Sequence, residues 1–280
     1  MKTRWSQAEA SAHIERLGER YGDDLAARTY SSRLLGRERE LVLHGGGNTS
    51  VKSTVRTVMG DEVPAIFVKA SGRNLATIWP EDHTALDLGH LQRLRTLEDL
   101  DDEVMWNELL THRFDADGAT PSLEALLHAF IDHKFVDHSH ADAVLALGNR
   151  PGGAELLREA LGEEAVVLGY HKPGFALARA AAEALERAPK ARGMVLLHHG
   201  LVTWGATARE SYEATIELVT RAERRLEELA PSAVASSSTG VAAARRRYVE
   251  LAPALRGLLA ARSEDRDRPF RRVLLQPLVT

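Results

Sequence analysis

Apolar residues recur at helical spacing over residues 6–20 and 24–35, so the chain is expected to open with two amphipathic helices. The segment ELVLHGGGNTSVK (40–52) breaks that rhythm and predicts a short apolar strand, a glycine turn and a second strand. AIFVKASG (65–72) reads as a buried strand ending in small residues, and residues 85–98 return to a helical pattern. A further helix is predicted over 122–134, with Thr120 as N-cap, Pro121 suited to the first turn and Glu124 early in the helix. VDHSHADAVLAL (136–147), AVVLGY (165–170), GMVLLHH (193–199) and LVTWG (201–205) are strand candidates, while 152–161, 175–187 and 207–229 are predicted helices.

Strands and helices interleave without strict one-to-one alternation, which favours a layered α/β fold with a mixed sheet over a regular doubly wound one. The stretch LAPSAVASSSTGVAAA (229–244) is small and polar and reads as a loop or linker. RRRYVELAPALRGLLAARS (245–263) follows as a helix, and RRVLLQPLVT (271–280) is apolar and strand-like. We therefore expect one main domain over residues 1–230, then a linker and helical extension over 231–280, with a longer full-length form continuing beyond it.

Composition narrows the function classes. A formal charge of −4 gives no general reason to expect nucleic acid or an anionic membrane as partner. Cysteine is absent, which excludes disulfides, thiol nucleophiles and thiolate-held metals. The N-terminus lacks a continuous apolar signal segment and no run is long enough to span a bilayer, so the expected location is cytoplasmic.

The histidines carry the chemistry. In a strand, residues i and i+2 share a face, so His138 and His140 project side by side with Ser139 turned away. Alone, such a pair serves a metal or a polar pocket equally well. LLHHG (196–200) ends another apolar strand at a glycine, and one of His198 and His199 can supply a third ligand. His199, directly at the turn, is the better placed. Three neutral imidazoles leave a divalent ion with open coordination, the pattern of catalytic zinc. Asp137 and Asp142 flank the pair and either orient an imidazole or serve as capping or solvated carboxylates. GGGN offers an anion-binding nest or a plain hairpin turn; it is not a Walker A loop.

HGGGNTSVK, VKASG, PSLEALLHAF, DHSHADAVLA, YHKPG and HHGLVTWG occur here in the order found in the class II aldolase/adducin family. The resemblance spans residues 25–230 and is strongest to the aldolase portion of bifunctional rhamnulose-1-phosphate aldolase/lactaldehyde dehydrogenases, although no dinucleotide fingerprint is present. It implies a layered α/β/α fold with a central mixed β-sheet. It also implies His138, His140 and His199 as ligands of Zn2+ or another divalent metal, and Glu124 as the catalytic carboxylate. Gly47, Asn48, Ser71, Gly72 and Ser122 match positions that hold a substrate phosphate. Leu123 departs from members with a second serine there.

The activity so implied is retro-aldol cleavage of a ketose 1-phosphate, L-rhamnulose 1-phosphate foremost, to dihydroxyacetone phosphate and L-lactaldehyde, through an enediolate whose charge zinc neutralises. A glutamate near the metal moves the proton; from position alone, Glu124 serves the helix dipole equally well. Phosphopentulose 4-epimerases and a sugar-phosphate dehydratase use the same scaffold, and adducin-like members are non-catalytic interaction modules. The implied partners are a small sugar phosphate and further copies of the chain in a homotetramer, with neither nucleic acid nor membrane. Lys69 and Arg73 flank the second turn and either add charge to the phosphate site or face solvent. His171 and Lys172 receive no role.

Overall fold

A computed structural model of the chain describes residues 1–229, 241–263, 269–271 and 273–275. The residues fall into two compact units, Met1–Leu229 and Ala230–Thr280.

The first unit opens with helices α1 (Gln7–Tyr21) and α2 (Asp23–Gly36). The Ser6 side chain caps α1 by accepting from the Glu9 amide, and Gly22, at φ 84°, takes the left-handed turn that separates the pair. Strands β1 (Asn48–Arg56), β2 (Glu62–Lys69) and β3 (His83–Asp87) follow, then α3 (Leu88–Leu94), α4 (Asp102–Thr111) and α5 (Ala125–Phe130). Strand β4 (Phe135–Ser139) leads into α6 (Asp142–Gly148), α7 (Gly153–Leu161), β5 (Ala165–Leu168) and α8 (Phe175–Arg187). Strands β6 (Gly193–Leu196) and β7 (Gly200–Gly205) and the long α9 (Ala208–Leu229) complete it.

The seven strands form one mixed sheet in the order β3-β2-β1-β4-β7-β6-β5, antiparallel throughout except for β5 beside β6. Helices cover both faces, giving the layered α/β/α architecture. On one face α3, α4, α5 and α8 bury Leu91, Met105, Phe130 and Phe175 against the sheet. On the other, α2, α6, α7 and α9 bury Leu34, Leu147, Leu157 and Tyr212. Both cores bury aliphatic side chains almost completely, each contributing about 1.5–3 kcal/mol relative to exposure.

Several local expectations are corrected. Residues 40–42 form no strand; Leu41 and Glu40 instead accept backbone hydrogen bonds from His140 and Asp142. The predicted helix over 85–98 begins as strand β3, because His83–Asp87 completes a ladder with β2, and Asp87 then caps α3 through the His90 amide. Helix α4 was not anticipated. The strand expected over 136–147 stops at Ser139, where the pattern passes from period two to the helical period of α6.

The helix expected over 122–134 is only α5. Thr120 and Pro121 are held extended by the Ser71 amide and a bridge to Ala70, so they cap nothing, and Glu124 itself occupies the N-cap. Its far end is closed by Lys52, whose ammonium donates to the carbonyls of His128, Ile131 and His133 at 2.6–2.8 Å.

In the second unit, helix α10 (Val241–Leu258) begins inside the stretch expected to be a loop. Two short strands, β8 (Ala261–Arg262) and β9 (Phe270–Arg271), pair antiparallel, so the predicted 245–263 helix ends early. Most of the expected linker and most of the apolar tail lie outside the described residues. No helix among the described residues is long and apolar enough to cross a membrane.

Candidate active site

The site forms where β1, β4 and β7 end beside the start of α5. Strand β4 is buried along its length and places His138 opposite Asn48 of β1 and Val202 of β7. His140 follows one residue past the strand, its amide held by the Leu41 carbonyl. His199 sits in the turn between β6 and β7, with its amide bonded to Leu196. His198, at φ 63°, takes the strained left-handed position of that turn and bonds Asn149 Oδ1 through Nδ1 at 2.8 Å. The turn thus sends His199 to the site and His198 away from it.

Donor atoms of His138, His140 and His199 lie within 4.8 Å of one another, and Nε2 of His138 and His140 are 3.2 Å apart. His138 Nδ1 lies 3.2 Å from the Leu201 carbonyl, so it carries the proton and Nε2 presents its lone pair. Burial holds His138 well below an ordinary histidine, at about 4, with Glu124 opposing and the other two imidazoles reinforcing the shift. Burial lowers His140 as well, reinforced by His199. His199 Nδ1 is buried with no hydrogen-bond partner. Three convergent imidazoles, with His138 and His140 held below the ordinary histidine range by burial and one buried nitrogen left without a partner, are a donor set suited to a divalent ion, so these residues fit a metal.

Glu124 closes the constellation. Its Oε1 lies 3.3 Å from His199 Nε2 and its Oε2 lies 3.5 Å from His138 Nε2. Burial pushes its carboxyl upward, but His138, His199 and the Asn48 amide outweigh burial, and the net shift is downward. Asn48 Nδ2 donates to Glu124 Oε2 at 2.6 Å and to Ser122 Oγ at 3.2 Å, while Oε1 makes no hydrogen bond. The carboxylate therefore has one fixed oxygen and one oxygen free to act.

Two turns border this centre. Gly47, at φ 62°, packs so closely that a Cβ there would meet the His138 carbonyl at 2.7 Å. Gly72, at φ 75°, shapes the turn after Ser71, and Gly45 lies against it, a Cβ at 45 meeting Gly72 backbone at 3.2–3.3 Å. Ser71 and Gly72 are exposed, and Ser122 is buried. Lys69 is buried, with Nζ donating to the Gly45 carbonyl at 2.9 Å, and burial lowers it to about 8. Arg73 instead pairs with Asp82 at 3.1 Å, and Lys172 with Asp102 at 2.5 Å.

Asp137 does not orient an imidazole: it points to the opposite face of β4, where it pairs with buried Arg28 at 2.5 Å and accepts from Ser211 Oγ. Period-two alternation contained that signal. Asp142 lies exposed in the first turn of α6. His128, missed from the sequence, is buried behind Glu124 one helical turn on, with Nδ1 2.8 Å from Ser50 Oγ. The other histidine–carboxylate grouping, His90, Glu108 and His112, is hydrogen-bonded within itself: His90 Nε2 bonds Glu108 at 2.6 Å, and His112 Nδ1 bonds the Glu108 carbonyl at 2.9 Å.

Comparison with known proteins gives the family of the chain. The uncharacterized oxidoreductase YuxG of Bacillus subtilis is 36% identical over 195 residues, 70% of this chain; the chain spans only 28% of that protein's length. The N-terminal class II aldolase domain of a conserved Thermoplasma acidophilum protein is 36% identical, with a TM-score of 0.72 covering 81% of this chain and 99% of that one. A sugar-phosphate aldolase of Thermotoga maritima shares the fold at 17% identity, with a TM-score of 0.54 over 73% of this chain and 95% of its own. Residues 27–226 match the family model of the class II aldolase and adducin N-terminal domain, and the chain belongs to that family.

Proposed function

We propose that the chain is a divalent-metal-dependent aldolase that cleaves a ketose 1-phosphate, L-rhamnulose 1-phosphate foremost, to dihydroxyacetone phosphate and L-lactaldehyde. The observation that carries this reading is the meeting of three histidines with a carboxylate that has one fixed and one free oxygen. Zn2+ is the ion we favour, held by His138, His140 and His199; when bound, such an ion polarises substrate oxygens as a Lewis acid, worth several kcal/mol.

The chain's own residues supply the rest. Cleavage breaks the C3–C4 bond: the Glu124 carboxylate takes the C4 hydroxyl proton, C4 becomes the aldehyde carbon, and the electron pair stays on C3. Glu124 is the group we assign to deliver a proton to C3 through Oε1, while Asn48 keeps Oε2 in place. Gly47, Ser71, Gly72 and Ser122 would receive the phosphate, with backbone N–H groups and hydroxyls as donors. Asn48 was expected among them; its amide is already committed to Glu124 and Ser122, which favours an orienting role for it.

The test is release of dihydroxyacetone phosphate from L-rhamnulose 1-phosphate by Zn2+-reconstituted protein, with His140→Ala and chelator controls. Turnover lost in both controls supports the reading. A metal-loaded protein that releases no dihydroxyacetone phosphate from L-rhamnulose or L-fuculose 1-phosphate overturns it.

A further inference from the structure

We propose that the groove between α1 and α2 is a binding site for a small diphosphate anion, held by the guanidinium groups of Arg16, Arg33 and Arg37 at a place separate from the metal centre.

The two helices turn basic side chains toward one groove. His13 and Arg16 lie one turn apart on α1, and Arg33 and Arg37 lie one turn apart at the end of α2, with Arg37 as its C-cap. Together with Glu9 and Tyr30 they line a cavity of about 480 Å³, a size that suits a small ligand. None of the residues lining it belongs to the histidine–glutamate centre. The dipole of α2 favours cations at its C-terminus, but it gives no reason for Arg16 to face them from α1.

The charges there are unmet. Arg16 Nη2 lies 3.3 Å from both ring nitrogens of His13, and Arg33 Nη1 lies 3.5 Å from Nε2, so two of the cations close on one imidazole. Burial and then Arg16, Arg33 and Arg37 hold His13 at about 4, with Glu9 opposing, so the ring is neutral near pH 7. Arg33 is itself lowered by burial and then by the other two arginines. Among the described residues, none of the three guanidiniums forms an ion pair with a carboxylate. Glu9, the one carboxylate in the lining, accepts from the Tyr30 hydroxyl at 3.2 Å.

The donors are also positioned in advance. Arg33 Nε donates to the Ile78 carbonyl at 2.7 Å, and its guanidinium carbon stands 4.6 Å from the Trp79 ring centre, which fixes the plane of the fork. Each guanidinium fork matches two oxygens of a phosphate group. A diphosphate has the charge and the oxygens to engage all three forks at once. A carboxylate or a single phosphate monoester would meet only part of them.

Calorimetric titration of the metal-loaded full chain with inorganic pyrophosphate tests this, with metal content measured before and after. Arg16→Gln/Arg37→Gln removes two exposed cations of the groove, and Arg245→Gln/Arg246→Gln removes the same charge from the exposed surface of α10. The expected result is saturable pyrophosphate binding in wild type and in the α10 variant, weakened at least ten-fold in Arg16→Gln/Arg37→Gln, with Tm retained in all three. Wild-type protein that binds no pyrophosphate overturns the inference, as does a groove variant within two-fold of wild type or an α10 variant that loses as much. Loss of binding in His140→Ala would put the anion on the metal and overturn it as well.

Discussion

Asn48 and Glu124, 76 positions apart in sequence, meet at 2.6 Å because β1 runs beside the strand that carries His138, and α5 starts directly above it. The bond fixes Glu124 Oε2 and leaves Oε1 toward His199. Asn48→Ala should free the carboxylate to rotate and lower kcat about ten- to hundred-fold, with metal content unchanged. Glu124→Gln removes the proton carrier and should cost about 10²–10⁴-fold. Steady-state kinetics beside metal analysis checks both; an Asn48→Ala enzyme of normal kcat would show that the amide orients nothing.

The histidine convergence was legible because it depends on local periods: i, i+2 in a strand for His138 and His140, and a glycine-ended strand for His199. The layered mixed sheet was legible in the interleaved apolar runs. The β3–α3 junction was not, since Ala85, Leu88, Leu91 and Leu94 keep a helical spacing across it and only Asp87 marks the change. Nor was the burial of Lys69, because a lysine ending an apolar strand looks the same whether it turns to solvent or beneath a loop. The Asn48–Glu124 bond depends on sheet order, which no local pattern encodes.

Gly200 sits where the strands carrying the histidines come closest. A Cβ there would lie 2.3 Å from the Ser139 carbonyl, 2.9 Å from His138 Cε1 and 3.2 Å from His140 Cδ2. Gly200→Ala must push β7 from β4 at the metal site. We expect about 1–3 kcal/mol of destabilisation from overpacking and at least a ten-fold loss of metal affinity, comparable with losing an outer-shell support. Metal retained after dialysis reports the second effect, and retention at the wild-type level would contradict it.

Arg28 and Asp137 form an ion pair with both side chains essentially inaccessible, and Ser211 also donates to the carboxylate. Burial raises the Asp137 carboxyl and lowers the Arg28 guanidinium, each countered by the partner. Removing one member leaves the other charge buried alone. Asp137→Ala should therefore lower stability by about 3–5 kcal/mol, read as a lower urea midpoint. The double variant Arg28→Met/Asp137→Leu should recover much of that loss, and a double variant no better than the single would refute the pairing argument.

His83 and His128 make acid sensitivity a test of the core. Each is buried with Nε2 unpartnered, while Nδ1 bonds the Trp79 carbonyl in one case and Ser50 Oγ in the other. Burial lowers both to about 3; Arg28 reinforces the shift at His83, and at His128 Glu124 opposes it while His138 and Lys52 reinforce it. Between that value and the unfolded value of 6.5 the unfolded chain binds a proton that the folded chain refuses. Stability from these groups is thus complete above about pH 6.5 and declines as the pH falls toward about 3. In metal-free protein, the slope of unfolding free energy against pH near pH 5 should include about two protons from this pair. His83→Gln should reduce that slope by about one proton, an isolated change because the remaining carboxylates and histidines are common to both proteins. Identical slopes for wild type and variant would mean that His83 charges without unfolding the chain.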